Sequence, residues 1–133
     1  MTTSLKLARQ FVQAGEGYLS GLLKDLGVTP RQLSILEALE HPERNVTQRI
    51  ISERTLIDRS TLSEMIRRMQ KKGLLERKRV INDERAWGVK LTPAGTTVMV
   101  KARRLAESAE KFATPRLPKE LRASIEAFEG HRK

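Results

Sequence analysis

The chain predicts a mainly α-helical fold carrying one small β-hairpin, an α+β arrangement, and three observations predict it. Apolar residues recur at helical spacing in several separate stretches. Capping residues and helix breakers bound those stretches. Only residues 75–91 change period, running as two short charged and apolar segments around a polar loop.

Residues 4–26 read as an amphipathic helix with Leu5, Ala8, Phe11, Val12, Leu19, Leu22, Leu23 and Leu26, loosened by Gly15 and Gly17. It is more apolar than a lone surface helix needs. Thr29-Pro30-Arg31-Gln32 combines an N-cap, Pro at the first helical position and Gln two residues further, a capping-box pattern opening a helix through about Leu39. Leu33, Leu36 and Leu39 face the core. His41-Pro42-Glu43-Arg44 breaks that helix, Thr47 or Asn45 caps the next, Ile50 and Ile51 turn inward, and Thr55-Leu56-Ile57 forms a turn.

Residues 58–73 carry start and stop signals at a helical distance. Asp58 accepts from the first free amides, and Gly73 supplies the left-handed residue that ends the helix. Leu62, Met65, Ile66 and Met69 form a stripe that must be buried, which leaves Ser60, Glu64, Arg67 and Lys71 on the opposite pole, flanked by Ser63 and Arg68. With Lys72 as C-cap, Leu74 meets Met69 across a Schellman-type ending. A strand then starts at once: Leu75-Glu76-Arg77-Lys78-Arg79-Val80 is charged and alternating. Trp87, Val89 and Leu91 share one face of a second strand with Lys90 on the other, and the polar residues 81–86 form the projecting tip between them. Thr92-Pro93 restarts a helix through about residue 113 with Val98, Ala102, Leu105, Ala109 and Phe112. Pro115 and Pro118 punctuate the approach to a last helix bearing Leu121, Ile125 and Phe128.

With 133 residues, 38% of them hydrophobic, the chain has enough apolar content for one core and is expected to form a single domain. The net charge of +10 is uneven: residues 44–90 hold 13 Lys and Arg against 6 Asp and Glu. A basic excess concentrated on a helix and hairpin suits a polyanion, because each neutralised phosphate releases condensed counterions. No cysteine is present, which excludes disulfides, thiol nucleophiles and thiolate metal sites. His41 and His131 sit in a helix break and near the end, no Gly-rich phosphate loop follows a strand, and metal-ligand spacing is missing. Neither an enzyme nor a cofactor or metal is expected. The opening Met-Thr-Thr-Ser-Leu-Lys has neither the basic start nor the apolar run of a secretory signal, and no apolar stretch approaches membrane-spanning length. A soluble, cytoplasmic protein is expected.

The order of elements and the residues themselves resemble the MarR family of winged helix-turn-helix transcriptional regulators. The resemblance is carried by Asp58-Arg59-Ser60-Thr61, by residues 71–77, by Asp83-Glu84-Arg85-Ala86, where Asp83 and Arg85 match the family's Asp-x-Arg wing motif, and by Leu91, Thr92 and Gly95 of a Leu-Thr-x-x-Gly segment. It implies a homodimer in which residues 4–26 and 93–129 interlock as dimerisation helices. Residues 29–92 would then be the winged DNA-binding part. It further implies a repressor reading a pseudopalindromic operator, and many such proteins release DNA when a small, often aromatic effector binds. Trp87 and Gly88 depart from the aliphatic residues usual in the second wing strand, and Leu56 from the small residue usual in the turn.

On this reading the helix enters the major groove of double-stranded DNA, where all four base pairs are distinguishable. Ser60, Thr61, Ser63 and Arg67 are the candidates for base or nearby phosphate contact, Arg59 and Arg68 for phosphate, and Lys71 lies on the same exposed ridge. Arg77, Lys78 and Arg79 are candidate backbone contacts on the first wing strand. From the residues alone Arg85 reads as half of a surface ion pair, worth roughly 0–1 kcal/mol. The resemblance moves it to the minor groove, braced by Asp83. The competing reading is a winged-helix module for protein interaction or for non-specific, architectural DNA binding.

Overall fold

The computed structural model describes residues 3–40, 46–80 and 83–132, apart from the side chains of 80 and 83–86. Among them the chain runs α1 (Ser4–Leu23), α2 (Pro30–Ala38), α3 (Gln48–Thr55), α4 (Arg59–Lys71), β1 (Leu75–Val80), β2 (Asp83–Leu91), α5 (Pro93–Ala113) and α6 (Leu121–His131). This is a mainly helical winged-helix arrangement with one two-stranded antiparallel sheet.

Five of the six helix starts, all but that of α6, follow from a side-chain cap. Thr3, Thr29, Thr47, Asp58 and Thr92 all sit in extended backbone with a side-chain oxygen accepting from an amide of the first turn. At Thr29 the box is reciprocal: the Gln32 amide donates to Thr29 Oγ1 at 3.1 Å, and the Thr29 amide donates to Gln32 Oε1 at 3.0 Å. Gln32 is thereby buried with its polar atom satisfied. The expected single helix over 4–26 is corrected at its end. Residues Lys24–Leu26 tighten into a 3-10 turn, closed by Gly27 at φ 71°. Thr55, expected in the turn, is the last residue of α3, where its hydroxyl donates to the Ile51 carbonyl at 2.7 Å. His41, Pro42, Glu43 and Arg44, expected to break α2, and Asn45, the alternative cap, lie outside the described residues.

The core sits where α2, α3, α4 and the first half of α5 converge. Leu23, Ile35, Leu36, Ile51, Leu62, Ile66 and Met69 are the largest fully buried side chains, with Val89, Met99 and Ala102 closing it. Each large apolar residue removed from water contributes about 1.5–3 kcal/mol, so this cluster fixes how α4 is presented. Arg103 of α5 adds a polar tie, its two terminal nitrogens donating to Glu40 at 2.5 and 2.6 Å, with Glu37 3.6 Å from its Nε. Outside this convergence the apolar surface is uncovered. Leu5, Leu7, Phe11, Val12 and Tyr18 of α1 stand exposed, and so do Leu121, Ile125 and Phe128 of α6. None of the helices among the described residues is long and apolar enough to cross a membrane.

Candidate nucleic-acid interface

The apolar stripe of α4 dictates its outer face. Leu62, Ile66 and Met69 are fully buried and Met65 half-buried. Ser60, Ser63, Arg67, Arg68 and Lys71 are therefore turned to solvent. The C-terminal end is a Schellman motif: the Leu74 amide donates to the Met69 carbonyl at 3.0 Å, the Gly73 amide to the Gln70 carbonyl at 2.9 Å, and Gly73 adopts φ 77°. The helix ends and the hairpin begins in a fixed direction.

At the other end Asp58 gathers three donors. Its carboxylate accepts from the Thr61 amide at 2.9 Å, the Ser60 hydroxyl at 2.8 Å and the Thr61 hydroxyl at 2.8 Å. The Thr61 amide first, then the two hydroxyls, hold the Asp58 carboxyl down at about 2. Ser63 donates to Gln48 Oε1 of α3 at 2.9 Å. The hydroxyls of exposed Ser60 and Ser63 and of half-buried Thr61 thus have their hydrogens already engaged and keep only lone pairs to offer. Glu64 holds both neighbouring arginines through one oxygen, Arg67 Nη2 at 2.7 Å and Arg68 Nε at 3.2 Å. The Arg67 hydrogen bond first, and then the charges of both arginines, keep the Glu64 carboxyl below its ordinary range. Arg59 and Lys71 are exposed and without a partner among the described residues.

The hairpin pairs Leu75 with Leu91, Glu76 with Lys90, Arg77 with Val89, Lys78 with Gly88 and Arg79 with Trp87. Leu75 and Val89 are buried at its root, whereas Arg77, Lys78 and Arg79 are exposed. Lys90 and Glu76 form a cross-strand ion pair at 3.0 Å. The register over 87–91 is unbroken, so Trp87, Val89 and Leu91 share one face as expected, but burial does not extend along all of it. Trp87 remains 43% exposed, because the ribbon has by then left the core, and Arg79 lies over its ring at 5.2 Å. The expected loop over residues 81–86 is corrected at 83–86, while 81 and 82 lie outside the described residues. Residues 83–86 belong to β2, and because the next pair after Arg79 and Trp87 is Val80 and Asp83, residues 84–86 have no opposite number on β1. A polar run signals unpaired backbone, and a bulge satisfies that signal as well as a loop does. Asp83 and Arg85 are thus placed in β2 by their backbone, while their side chains lie outside the described residues.

Two joints hold the hairpin against the helices. The Val89 amide donates to the Val46 carbonyl at 2.8 Å, and Thr47, the cap of α3, bridges to Gly88. On the far side the Thr92 hydroxyl donates to the Gly73 carbonyl at 2.5 Å and accepts from the Gly95 amide at 3.0 Å. Gly95 is required there, since a Cβ would lie 2.1 Å from the Leu74 carbonyl oxygen.

The nominated residues therefore fall into two exposed groups beside one Schellman turn. Arg59, Ser60, Ser63, Arg67, Arg68 and Lys71, with half-buried Thr61, are on α4, and Arg77, Lys78 and Arg79 are on β1. Sequence reasoning left Asp58, Gln48 and Glu64 out of this set. Their roles rest on side-chain hydrogen bonds; the Asp58 cap was a visible signal, the Gln48 to Ser63 contact was not. No group of three metal-ligating residues occurs among the described residues.

Residues 26–86 match a family model described as MarR family. The organic hydroperoxide resistance transcriptional regulator of Bacillus subtilis (strain 168) is 37% identical over 82 residues, or 61% of this chain and 54% of that protein. By sequence the chain spans about half the length of the curated relative it matches. The structure of the S. aureus MepR-DNA complex has a TM-score of 0.83 at 20% identity, covering 99% of this chain and 97% of that one. PcaV from Streptomyces coelicolor, solved in complex with its natural ligand, has a TM-score of 0.79 at 27% identity over 98% of this chain and 91% of that one. Residues 26–86, which carry the helices and first wing strand of this site, are thus similar to the MarR family, and the chain shares its fold with these structures over nearly its full length.

Proposed function

We propose that the chain is a transcriptional regulator that binds double-stranded DNA as a homodimer and represses from a pseudopalindromic operator. The observation that carries this reading is the exposed ridge of α4, positive along Arg67, Arg68 and Lys71, set directly beside a hairpin whose exposed strand carries Arg77, Lys78 and Arg79. A rigid cationic helix has the width of the major groove, and the hairpin reaches the neighbouring minor groove. Ser60, Thr61, Ser63 and Arg67 face base edges. Arg59, Arg68, Lys71, Arg77, Lys78 and Arg79 neutralise phosphate, and Arg85, with Asp83 beside it, enters the minor groove.

Residues 29–92 form the DNA-binding part in this proposal, and residues 4–26 and 93–129 the dimerisation part. The uncovered apolar side chains of α1 and α6 support that division, because a second copy supplies the surface that one chain lacks. PcaV is solved in complex with its natural ligand, and the proposal extends to a small-molecule effector here. The protein has no catalytic role in this reading and acts in the cytoplasm.

Selection of bound duplexes from a random library, with the mass measured by light scattering, tests it. A two-fold symmetric consensus, preferred over random duplex by at least about 1000-fold, and a dimer mass are expected. A preference for no sequence, or a partner affinity that ignores salt, identifies an architectural or protein-interaction module instead.

A further inference from the structure

The outer ridge of α4 contains one residue of the wrong sign for a surface that meets a polyanion. Glu64 is the only acidic residue of that helix and lies on its exposed pole between Ser60 and Lys71. Phosphate repels a carboxylate, so Glu64 opposes simple electrostatic binding. Its geometry supplies a compensating use. Oε1 receives both arginine contacts, from Arg67 Nη2 at 2.7 Å and Arg68 Nε at 3.2 Å. Oε2 receives no donor from the described residues, and the side chain is 46% exposed. Arg67 gives up one of its two terminal nitrogens to this contact, leaving the rest of its planar fork outward.

A free carboxylate oxygen beside a pinned guanidinium is a paired acceptor and donor. In the major groove cytosine offers only its N4 amine as a donor, whereas guanine offers O6 and N7 as acceptors. Residues three apart on a helix are separated by about 4.5 Å along its axis, close to the ~3.4 Å between successive base pairs. The neighbouring Ser60, Thr61 and Ser63 hydroxyls have already donated their hydrogens to Asp58 and Gln48, so beyond Arg59 at the helix start the charged donors on the ridge come from Arg67 onward.

We propose that Glu64 is a specificity-determining residue: Oε2 accepts from the N4 amine of a cytosine, while Oε1 holds Arg67 against the guanine of the neighbouring base pair. This rests on the regulator reading above. The carboxylate thus lowers affinity for DNA at large and raises the preference for one base step in each half-site. An intrahelical ion pair serving stability alone would have no such signature.

The test uses the full chain and the duplex selected by the wild-type protein. Each half-site is varied one base pair at a time, and binding by wild type, E64A and E64Q is titrated at fixed salt. The wild type is expected to lose about 10-fold or more when the assigned cytosine is replaced. E64A is expected to be indifferent at that position and to bind random duplex more tightly. E64Q, which both donates and accepts, is expected to admit adenine there. If both variants keep every wild-type base preference, the assignment to Glu64 is overturned while the regulator reading stands. If the wild type itself selects no duplex, the regulator reading fails and takes this inference with it.

Discussion

Gly95→Ala is the sharpest probe of how the wing is attached. The added Cβ would sit 2.1 Å from the Leu74 carbonyl oxygen, 3.0 Å from its carbon and 3.4 Å from its Cα, and all three are backbone atoms. No rotamer relieves that contact, so α5 and the exit of the Schellman turn must separate by roughly 1 Å, an overpacking strain of about 1–3 kcal/mol. The same separation stretches Thr92 N to the Leu74 carbonyl (3.1 Å), Thr92 Oγ1 to the Gly73 carbonyl (2.5 Å) and Gly95 N to Thr92 Oγ1 (3.0 Å). Each is worth about 0.5–1.5 kcal/mol net. Alanine returns up to about 1 kcal/mol of helix propensity. The balance is a loss of roughly 2–4 kcal/mol, which lowers the thermal midpoint by about 10 °C. Urea and thermal unfolding at one fixed protein concentration measure it, with far-UV circular dichroism confirming retained helix. A destabilisation below about 0.5 kcal/mol refutes the close approach of these two backbones.

Asp58→Asn keeps an N-cap but removes the charge. Because the Asp58 carboxyl is held at about 2 in the folded chain against 3.8 ordinarily, its contribution is complete above about 3.8 and disappears as pH falls through about 2. Urea midpoints of D58N are expected to decline less over that acid range than those of the wild type, and parallel curves would discard the charged cap. Leu56 holds φ 62° while 90% exposed, a left-handed conformation costing a non-glycine roughly 1–2 kcal/mol. Leu56→Gly relieves that strain but restores freedom to the unfolded chain, for a net gain of about 0.5–1 kcal/mol in chemical denaturation; a loss would mean the leucine side chain contributes packing. Arg85→Ala is expected to leave the unfolding midpoint in place, weaken binding to the selected duplex and reduce the salt slope by about 1. An unchanged slope removes Arg85 from the interface.

Punctuation in this sequence was legible because it is local. Asp58, Gly73 and Thr92 act through atoms a few residues away, and Thr29 with Gln32 forms a box within one turn, so spacing alone located those helix ends. What spacing did not reveal depends on residues far apart in the chain. Arg103 meets Glu40 across 63 positions, Ser63 meets Gln48 across 15, and the reason for Gly95 is a carbonyl at Leu74. The bulge over 84–86 escaped because polar composition marks unpaired backbone without saying whether the chain turns or continues as a strand. The candidate ridge was readable residue by residue from the buried stripe opposite it. The hydrogens already committed to Asp58, Gln48 and Glu64 were not, since a face pattern says nothing about which partner a hydroxyl or guanidinium chooses.

The bond from Val89 to Val46 ties the root of the ribbon to the residue just before the cap of α3. Since Ile51 of α3 shares one core with Leu62, Ile66 and Met69 of α4, that seam joins the ribbon to the cationic ridge by a second route, independent of the Schellman turn.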